Sequence, residues 1–389
     1  MDISYILNEY AEDRNEYFRA VSPPIIQTSN FAFETVEELR KSFENEYSNW
    51  LYSRGLNPTV EILRKKLAAL DAAEDCLVFN SGAAAIFAAV FANVKSGDHI
   101  VSVENPYTWA KKMFEEILPR FQVTYTYVNA TNTAAVFEAV QNNTTVIYLE
   151  SPNSWTFRLQ DLSAIAAFAK ERGIITICDN SYCTPIYQKP IALGIDISLQ
   201  SATKYIGGHS DVVAGVLSGS KVMITRIFNS EYLNIGSGIQ PFNAWLLIRG
   251  LRTLPMRLER ISATTQRVLT FLQNHPQVER VIFPFSESFP QYELAKKQMT
   301  GACGLLTIIV KAKTVFQIEH FCNALQHILM AVSWGGYESL IIPKCAGMPI
   351  EQFNANNEEH RMLRLYVGLE EADYIIQDLE NGFTAMNKA

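Results

Sequence analysis

From Cys76 onward the chain alternates short apolar runs with stretches in which apolar positions recur at helical spacing. The runs Cys76–Phe79, His99–Val103, Gln122–Val128, Thr145–Leu149 and Ile174–Cys178 have strand length. Helical stretches around 83–94, 107–118, 132–141 and 161–172 lie between them. This alternation predicts a mostly parallel sheet with helices on both faces, and ligands on such sheets sit beyond the carboxyl ends of the strands. A further run, Ile195-Asp196-Ile197-Ser198-Leu199-Gln200, lacks the polarity of a solvated face and reads as another buried strand.

The flanks follow other patterns. The first fifty residues carry a Pro23-Pro24 turn and Gln27-Thr28-Ser29-Asn30-Phe31, with little periodicity, and read as an arm over 1–50. A large domain is expected over 51–240, opening with a helix at 60–70 that Thr59 could cap and that carries a Val60, Leu63, Leu67 stripe. A long helical segment over 241–273, interrupted by Gly250 and Pro255, leads into a smaller α+β unit. That unit has apolar runs at 304–310 and 329–332 and a closing helix near 371–385, so 241–389 is expected to form the connecting helix and C-terminal domain.

With 48% hydrophobic and 19% charged residues, the composition is that of a compact soluble protein. A net charge of −7 argues against nucleic acid or an anionic membrane as partner. Met1-Asp2-Ile3-Ser4 opens without the basic and apolar regions of a secretory signal, so a cytoplasmic location is expected. The apolar run around Ala83 to Ala92 is too short to span a bilayer. The six cysteines show neither CxxC spacing nor nearby histidine pairs, which favours buried reduced thiols over disulfides and predicts no metal site.

Candidate chemistry centres on Ser201-Ala202-Thr203-Lys204-Tyr205-Ile206-Gly207-Gly208-His209-Ser210-Asp211, which follows the last buried run. An amine flanked by hydroxyls suits a Schiff base to an aldehyde whose phosphate lies close by, and pyridoxal phosphate carries both groups. A surface lysine at a strand end is the plain alternative; the buried strand delivering Lys204 to an interior favours the cofactor. Ser81-Gly82-Ala83-Ala84-Ala85 opens a helix after a strand, where free amides and the helix dipole favour an anion, although close packing would use the same residues. Asp179 ends an apolar strand, where a carboxylate needs a positive partner such as a protonated pyridine nitrogen, or else solvent. Tyr107 begins a helix and can lay its ring on a planar cofactor or simply pack. Tyr52 and Arg54 suit phosphate binding or a surface ion pair. In Leu363-Arg364-Leu365-Tyr366-Val367, alternation puts Arg364 and Tyr366 on one face, and an arginine fork on a strand suits an amino-acid carboxylate. Ser333-Trp334-Gly335-Gly336-Tyr337-Glu338-Ser339-Leu340 reads as a turn that could wall a pocket.

Together these strings resemble the cysteine/methionine-metabolism group of pyridoxal-phosphate enzymes, the trans-sulfuration enzymes, which includes cystathionine γ-synthase, cystathionine β- and γ-lyases and methionine γ-lyase. The resemblance runs from about Pro23 to Gly382. It rests on Tyr52-Ser53-Arg54 with Asn57-Pro58-Thr59, Ser81-Gly82, Asp179-Asn180, Ser201 to Tyr205 with Gly208-His209-Ser210-Asp211, and Arg364 with Val367-Gly368-Leu369-Glu370. It implies a fold-type I α/β enzyme with a mostly parallel seven-stranded sheet flanked by helices and a smaller α+β C-terminal domain. It also implies a homotetramer built as a dimer of dimers with sites shared between subunits.

By the same resemblance Lys204 is the Schiff-base lysine, Asp179 the pyridine-nitrogen partner and Tyr107 the stacking ring; Lys204 is the expected Cα base, and Lys204 or Tyr107 the expected proton source for the leaving thiolate. Gly82, Ala83, Ser201 and Thr203 match the phosphate cup, and Tyr52 and Arg54 the pair that reaches it from a neighbouring subunit. Arg364 matches the holder of the substrate carboxylate, with Ser333 and Trp334 beside it. Trp334 and Ser154 resemble bacterial cystathionine β-lyases, whereas Asn57-Pro58-Thr59 resembles the synthases and γ-lyases. The expected activity is a carbon–sulfur lyase on an amino-acid thioether, cystathionine giving homocysteine, pyruvate and ammonia. The alternatives are γ-elimination, γ-replacement on an O-acyl-homoserine, and a pyridoxal-phosphate-binding protein without turnover.

Overall fold

In the computed structural model, which describes residues 1–388, the alternating segment forms a seven-stranded sheet. Its strands are β1 (Asp75–Phe79), β2 (His99–Val103), β3 (Thr124–Val128), β4 (Thr144–Glu150), β5 (Ile175–Asp179), β6 (Ile197–Ser201) and β7 (Gly215–Gly219). They lie in the order β1-β7-β6-β5-β4-β2-β3. Strand β7 runs antiparallel to both β1 and β6, and every other pair is parallel. Both faces are covered, which is why the parallel strands read as continuous apolar runs rather than alternating ones. Leu77, Ile100, Val146, Tyr148 and Ile177 pack with Ala85, Ile86 and Ala89 of the helix Gly82–Phe91. Residues of opposite parity, among them Val101, Ile147, Leu149 and Cys178, pack with Leu162, Ile165 and Ala169 of the helix Leu162–Glu171.

The chain divides into two compact units. The larger comprises Met1–Pro152, Leu159–Gly207 and Asp211–Arg252; the second comprises Asn153–Arg158, Gly208–Ser210 and the chain from Thr253 onward. The second unit holds a five-stranded sheet of β8 (Val278–Ile282), β9 (Leu305–Val310), β10 (Leu329–Met330), β11 (Leu340–Pro343) and β12 (Met362–Tyr366), ordered β10-β11-β12-β9-β8. Only the β10–β11 pair is parallel. Helices Leu254–Asn274, Val315–Asn323 and Ala372–Met386 complete an α+β arrangement.

Three local expectations change. The helix expected over 107–118 keeps α geometry only at Thr108–Lys112, then widens through Met113–Ile117 and tightens at Leu118–Phe121, ending at Gln122 with φ +60°. Helix 58–70 is capped by Asn57, whose Oδ1 accepts the Thr59 amide at 3.0 Å. Thr59 instead stitches the N-terminal segment to the helix, donating to the Pro24 carbonyl at 3.0 Å and accepting from Ile26 N–H at 2.9 Å. The break in the long helical segment falls at Thr253, with Pro255 in the first turn of the second helix where its missing N–H is harmless. Gly250 is not the break: a Cβ there would lie 2.6 Å from the Ile206 and Gly207 carbonyls, so it permits close approach inside a continuous helix.

The N-terminal helix Ile3–Asn8 is held by a buried lysine. Lys66 donates to the Ile6 and Leu7 carbonyls at 2.8 and 3.2 Å and pairs with the enclosed Glu12 at 3.0 Å. Arg252 reaches the same carboxylate at 2.9 Å, giving the buried pair the extra partners it needs. All six cysteines are buried thiols outside any disulfide, and among the described residues no helix is long and apolar enough to cross a membrane.

Candidate active site

In the larger unit six strands share one direction, so the residues that follow β1, β2, β4, β5 and β6 collect along one edge of the sheet. After β1, Ser81 caps the helix Gly82–Phe91, its Oγ accepting the Ala84 amide at 3.1 Å. The Gly82 and Ala83 amides therefore have no acceptor within the helix, and Ala83 is exposed. Gly82 lies against the end of β6: a Cβ on it would sit 3.3 Å from Ser201 Oγ. Gly215 is needed for the same approach, since a Cβ there would come within 2.3 Å of the Ser81 carbonyl. A glycine pocket, a hydroxyl and two helix-end amides thus stand together, the composition of an anion cradle.

Asp179 ends β5 beside it. Its Oδ1 accepts the Ser181 amide at 2.9 Å, and Ser181 Oγ in turn accepts the Ser201 amide at 2.7 Å. Burial pushes the Asp179 carboxyl above the usual carboxylate range, while Ser181 and the Lys204 charge pull the other way. A carboxylate so desolvated is stabilised by a cationic ring N–H. The Lys204 amide donates to the Ser201 carbonyl at 3.1 Å in the turn that leaves β6. Thr203 Oγ1 donates to the Ala214 carbonyl at 3.2 Å and accepts the Ala214 amide at 3.0 Å.

Tyr107 follows β2. Its amide donates to Oε2 of the buried Glu150, at the end of β4, at 2.6 Å, and the residue is 42% exposed. Desolvation, with the charges of Asp179 and Glu150, pushes its phenol above the usual range, so at neutral pH it holds its proton. Behind these groups the fully buried Asn180 donates to the Gln188 carbonyl at 2.9 Å, and Gln188 donates to the Ser151 carbonyl at 2.7 Å, tying β5 to the end of β4. Sequence reasoning missed Glu150, Ser181 and Gln188 as supports. Ser181 could have been found from its place two residues after Asp179, where an aspartate commonly accepts a backbone amide.

Tyr52 and Arg54 stand on an exposed segment, the Arg54 guanidinium 5.4 Å from the Tyr52 ring. Among the described residues neither hydrogen-bonds to Lys204, Asp179 or Ser201.

Arg364, Ser333 and Trp334 belong to the second unit. Arg364 lies in β12 opposite Thr307 of β9, and its Nη1 donates to Ser154 Oγ at 3.3 Å. The turn carrying Ser333, at φ +81°, and Trp334 is laced to the chain beyond β12. Tyr366 donates to the Gly336 carbonyl at 2.7 Å, Leu369 N–H to the Tyr337 carbonyl at 2.8 Å, and Ser339 Oγ to Glu370 at 2.9 Å. Gly368 makes this approach possible, because a Cβ there would lie 2.4 Å from the Tyr337 carbonyl. Tyr366 thus serves as the pin of the turn.

Residues 6–384 match the family model described as Cys/Met metabolism PLP-dependent enzyme. The chain belongs to that family. L-methionine gamma-lyase of Treponema denticola is 37% identical over 382 residues, spanning 96% of this chain and 95% of that protein. The cystathionine beta-lyase of Bacillus subtilis is 36% identical over 365 residues, with 93% and 91% covered. Among solved structures, a Campylobacter jejuni protein assigned as an O-acetylhomoserine (thiol)-lyase, solved with N'-pyridoxyl-lysine-5'-monophosphate, aligns with a TM-score of 0.92 at 25% identity, covering 99% of this chain and 100% of that one. The fold is accordingly that of fold-type I pyridoxal-phosphate enzymes, and the protein is a pyridoxal-phosphate-dependent carbon–sulfur lyase of methionine and cysteine metabolism acting on a small amino-acid substrate. The open amides at Gly82 and Ala83, the Gly82–Ser201 approach and the desolvated Asp179 fit that cofactor.

Proposed function

We propose that the protein cleaves the Cβ–S bond of a cystathionine-like thioether, with Lys204 as Schiff-base lysine and proton-transfer group. What supports the lyase reading is the placement of Tyr107, Asp179 and Lys204 at the carboxyl ends of β2, β5 and β6 along one edge of the sheet. Pyridoxal phosphate, when bound, supplies an aldehyde for imine formation and a ring that accepts the electrons released at Cα. Asp179 keeps a proton at the ring nitrogen. Gly82, Ala83, Ser201 and Thr203 are the proposed phosphate contacts, Thr203 after its hydroxyl turns from Ala214. Tyr52 and Arg54 are proposed to reach the phosphate of a neighbouring subunit in a homotetramer. The Lys204 amine removes the Cα proton of the substrate. Tyr107, holding its proton, protonates the departing sulfur. Arg364 holds the substrate carboxylate, with Ser333 and Trp334 lining the pocket.

Cleavage at Cβ is supported by Ser154 and Trp334, which resemble bacterial cystathionine β-lyases. A second reading, γ-elimination from methionine, is favoured by the 37% identity to L-methionine gamma-lyase of Treponema denticola. That reaction requires a second proton to leave Cβ. Assay of the purified holoenzyme with cystathionine and with methionine, identifying the keto acid, separates the two. Pyruvate from cystathionine is expected. Release of 2-oxobutyrate from either substrate, without pyruvate, overturns the β reading.

A further inference from the structure

The arginine of the second unit does not stand on β12 alone. The short segment Asn153–Arg158 is folded into a tight turn, with Thr156 N–H on the Ser154 carbonyl at 2.9 Å and Phe157 N–H on the Asn153 carbonyl at 3.0 Å. Trp155 takes φ +67°, a left-handed backbone that strains a bulky residue and persists only where its surroundings hold it. The hold comes from β9: Thr307 Oγ1 donates to the Trp155 carbonyl at 2.7 Å, and Thr307 is the cross-strand partner of Arg364. The Arg364 guanidinium lies 5.1 Å from the centre of the Trp155 ring while its Nη1 reaches Ser154 Oγ.

We infer that Trp155 is a positioning residue that sets the plane and roll of the Arg364 fork. This rests on the reading of Arg364 as the carboxylate holder. An indole 5.1 Å from the guanidinium carbon limits the planes the fork can take, and a carboxylate takes two parallel N–H bonds only from a fork held in one plane. Ser154 takes one Nη1 donor and fixes the roll about the side-chain axis. Without the ring, the fork samples other planes, and the substrate loses alignment rather than charge attraction. Trp155 touches Arg364, so it acts through that side chain and not on the reacting atoms.

The test uses the holoenzyme with Trp155→Gly, Trp155→Phe and Arg364→Lys. Glycine suits the left-handed backbone, so Trp155→Gly removes the ring without adding strain, and its melting temperature should stay near the parent value. The expected result is a rise in KM for the thioether of about three- to thirtyfold in Trp155→Gly, from the usual range of cation–aromatic contacts. Its kcat should stay within about twofold, and Trp155→Phe should recover part of the loss. Binding of the corresponding amine lacking the carboxylate, followed by the visible spectrum, should be equal in all Trp155 variants and the parent. An unchanged KM in Trp155→Gly while Arg364→Lys is impaired overturns the inference alone. Equal losses for amino acid and amine overturn it too, because the ring would then shape the pocket and not the fork. If Arg364→Lys binds the amino acid as tightly as the parent, the carboxylate reading itself fails.

Discussion

At the residue scale, the site gathers groups whose folded surroundings are unfavourable until a ligand arrives. Asp179 is the clearest case, because desolvation raises its carboxyl while its assigned partner, a ring N–H, comes with the cofactor. Asp179→Asn should therefore act with opposite sign on two measurements. The cofactor-free protein should melt higher at pH 8, since a buried charge has gone. Cofactor affinity should fall about ten- to hundredfold, the range expected for a lost charge-assisted hydrogen bond of roughly 1.5–3 kcal/mol. Fluorescence titration of the cofactor checks this, and unchanged affinity would place the ring nitrogen elsewhere. Lys204 and Asp179 were legible in the sequence because Asp179 ends an apolar run and Lys204 follows one by a few residues. Trp155 was not, since its role depends on Thr307 and Arg364, which only β9–β12 pairing makes neighbours.

At the element scale, patterns of period carried most of the parallel sheet, because strands buried on both faces declare themselves as apolar runs. Strand β7 escaped: Gly215-Val216-Leu217-Ser218-Gly219 has small residues where close backbone approach leaves no room. Its Ser218, with Ser198 and Gln200 of β6, faces Asp71 at the end of helix Pro58–Leu70. Asp71 is 1% exposed, and burial raises its carboxyl from 3.8 to about 6, against the pull of those three side chains. Below pH 3.8 both folded and unfolded forms are protonated and the group costs nothing. Between that value and about 6 the unfolded chain loses its proton first, so stability falls as pH rises and then levels off. Asp71→Asn should remove this dependence, gaining on the order of 2–3 kcal/mol relative to the parent above pH 6, since each tenfold change in proton affinity is worth about 1.36 kcal/mol. Urea melts of both proteins across pH 4 to 7 check it; parallel curves would show that Asp71 ionises normally.

At the scale of the whole molecule, the proposed assembly makes a prediction no single chain can satisfy. Tyr52 and Arg54 lie exposed, the guanidinium 5.4 Å from the ring, and the proposal assigns them to a neighbour's site. Arg54→Ala and Lys204→Ala proteins should each be inactive, yet mixtures should recover activity once subunits exchange. In a hybrid dimer one site carries both lesions and the other carries neither. Absence of recovery after demonstrated exchange would return Arg54 to its own chain's chemistry or remove it from the site.

The position of β7 also governs how the protein must be made. Asp75 of β1 pairs with Gly219 of β7, and β6 pairs with β7 on its other side. A ribosome adding roughly 5–20 residues per second therefore leaves β1 without its neighbour for about 7–30 seconds after it emerges. During that interval the apolar Cys76-Leu77-Val78-Phe79 edge can pair with any other chain, and β6 later presents a second bare edge. A nascent chain arrested between Ser201 and Gly215 should be captured by holdases or precipitate, while one arrested beyond Arg252, where the larger unit is complete, should stay in solution.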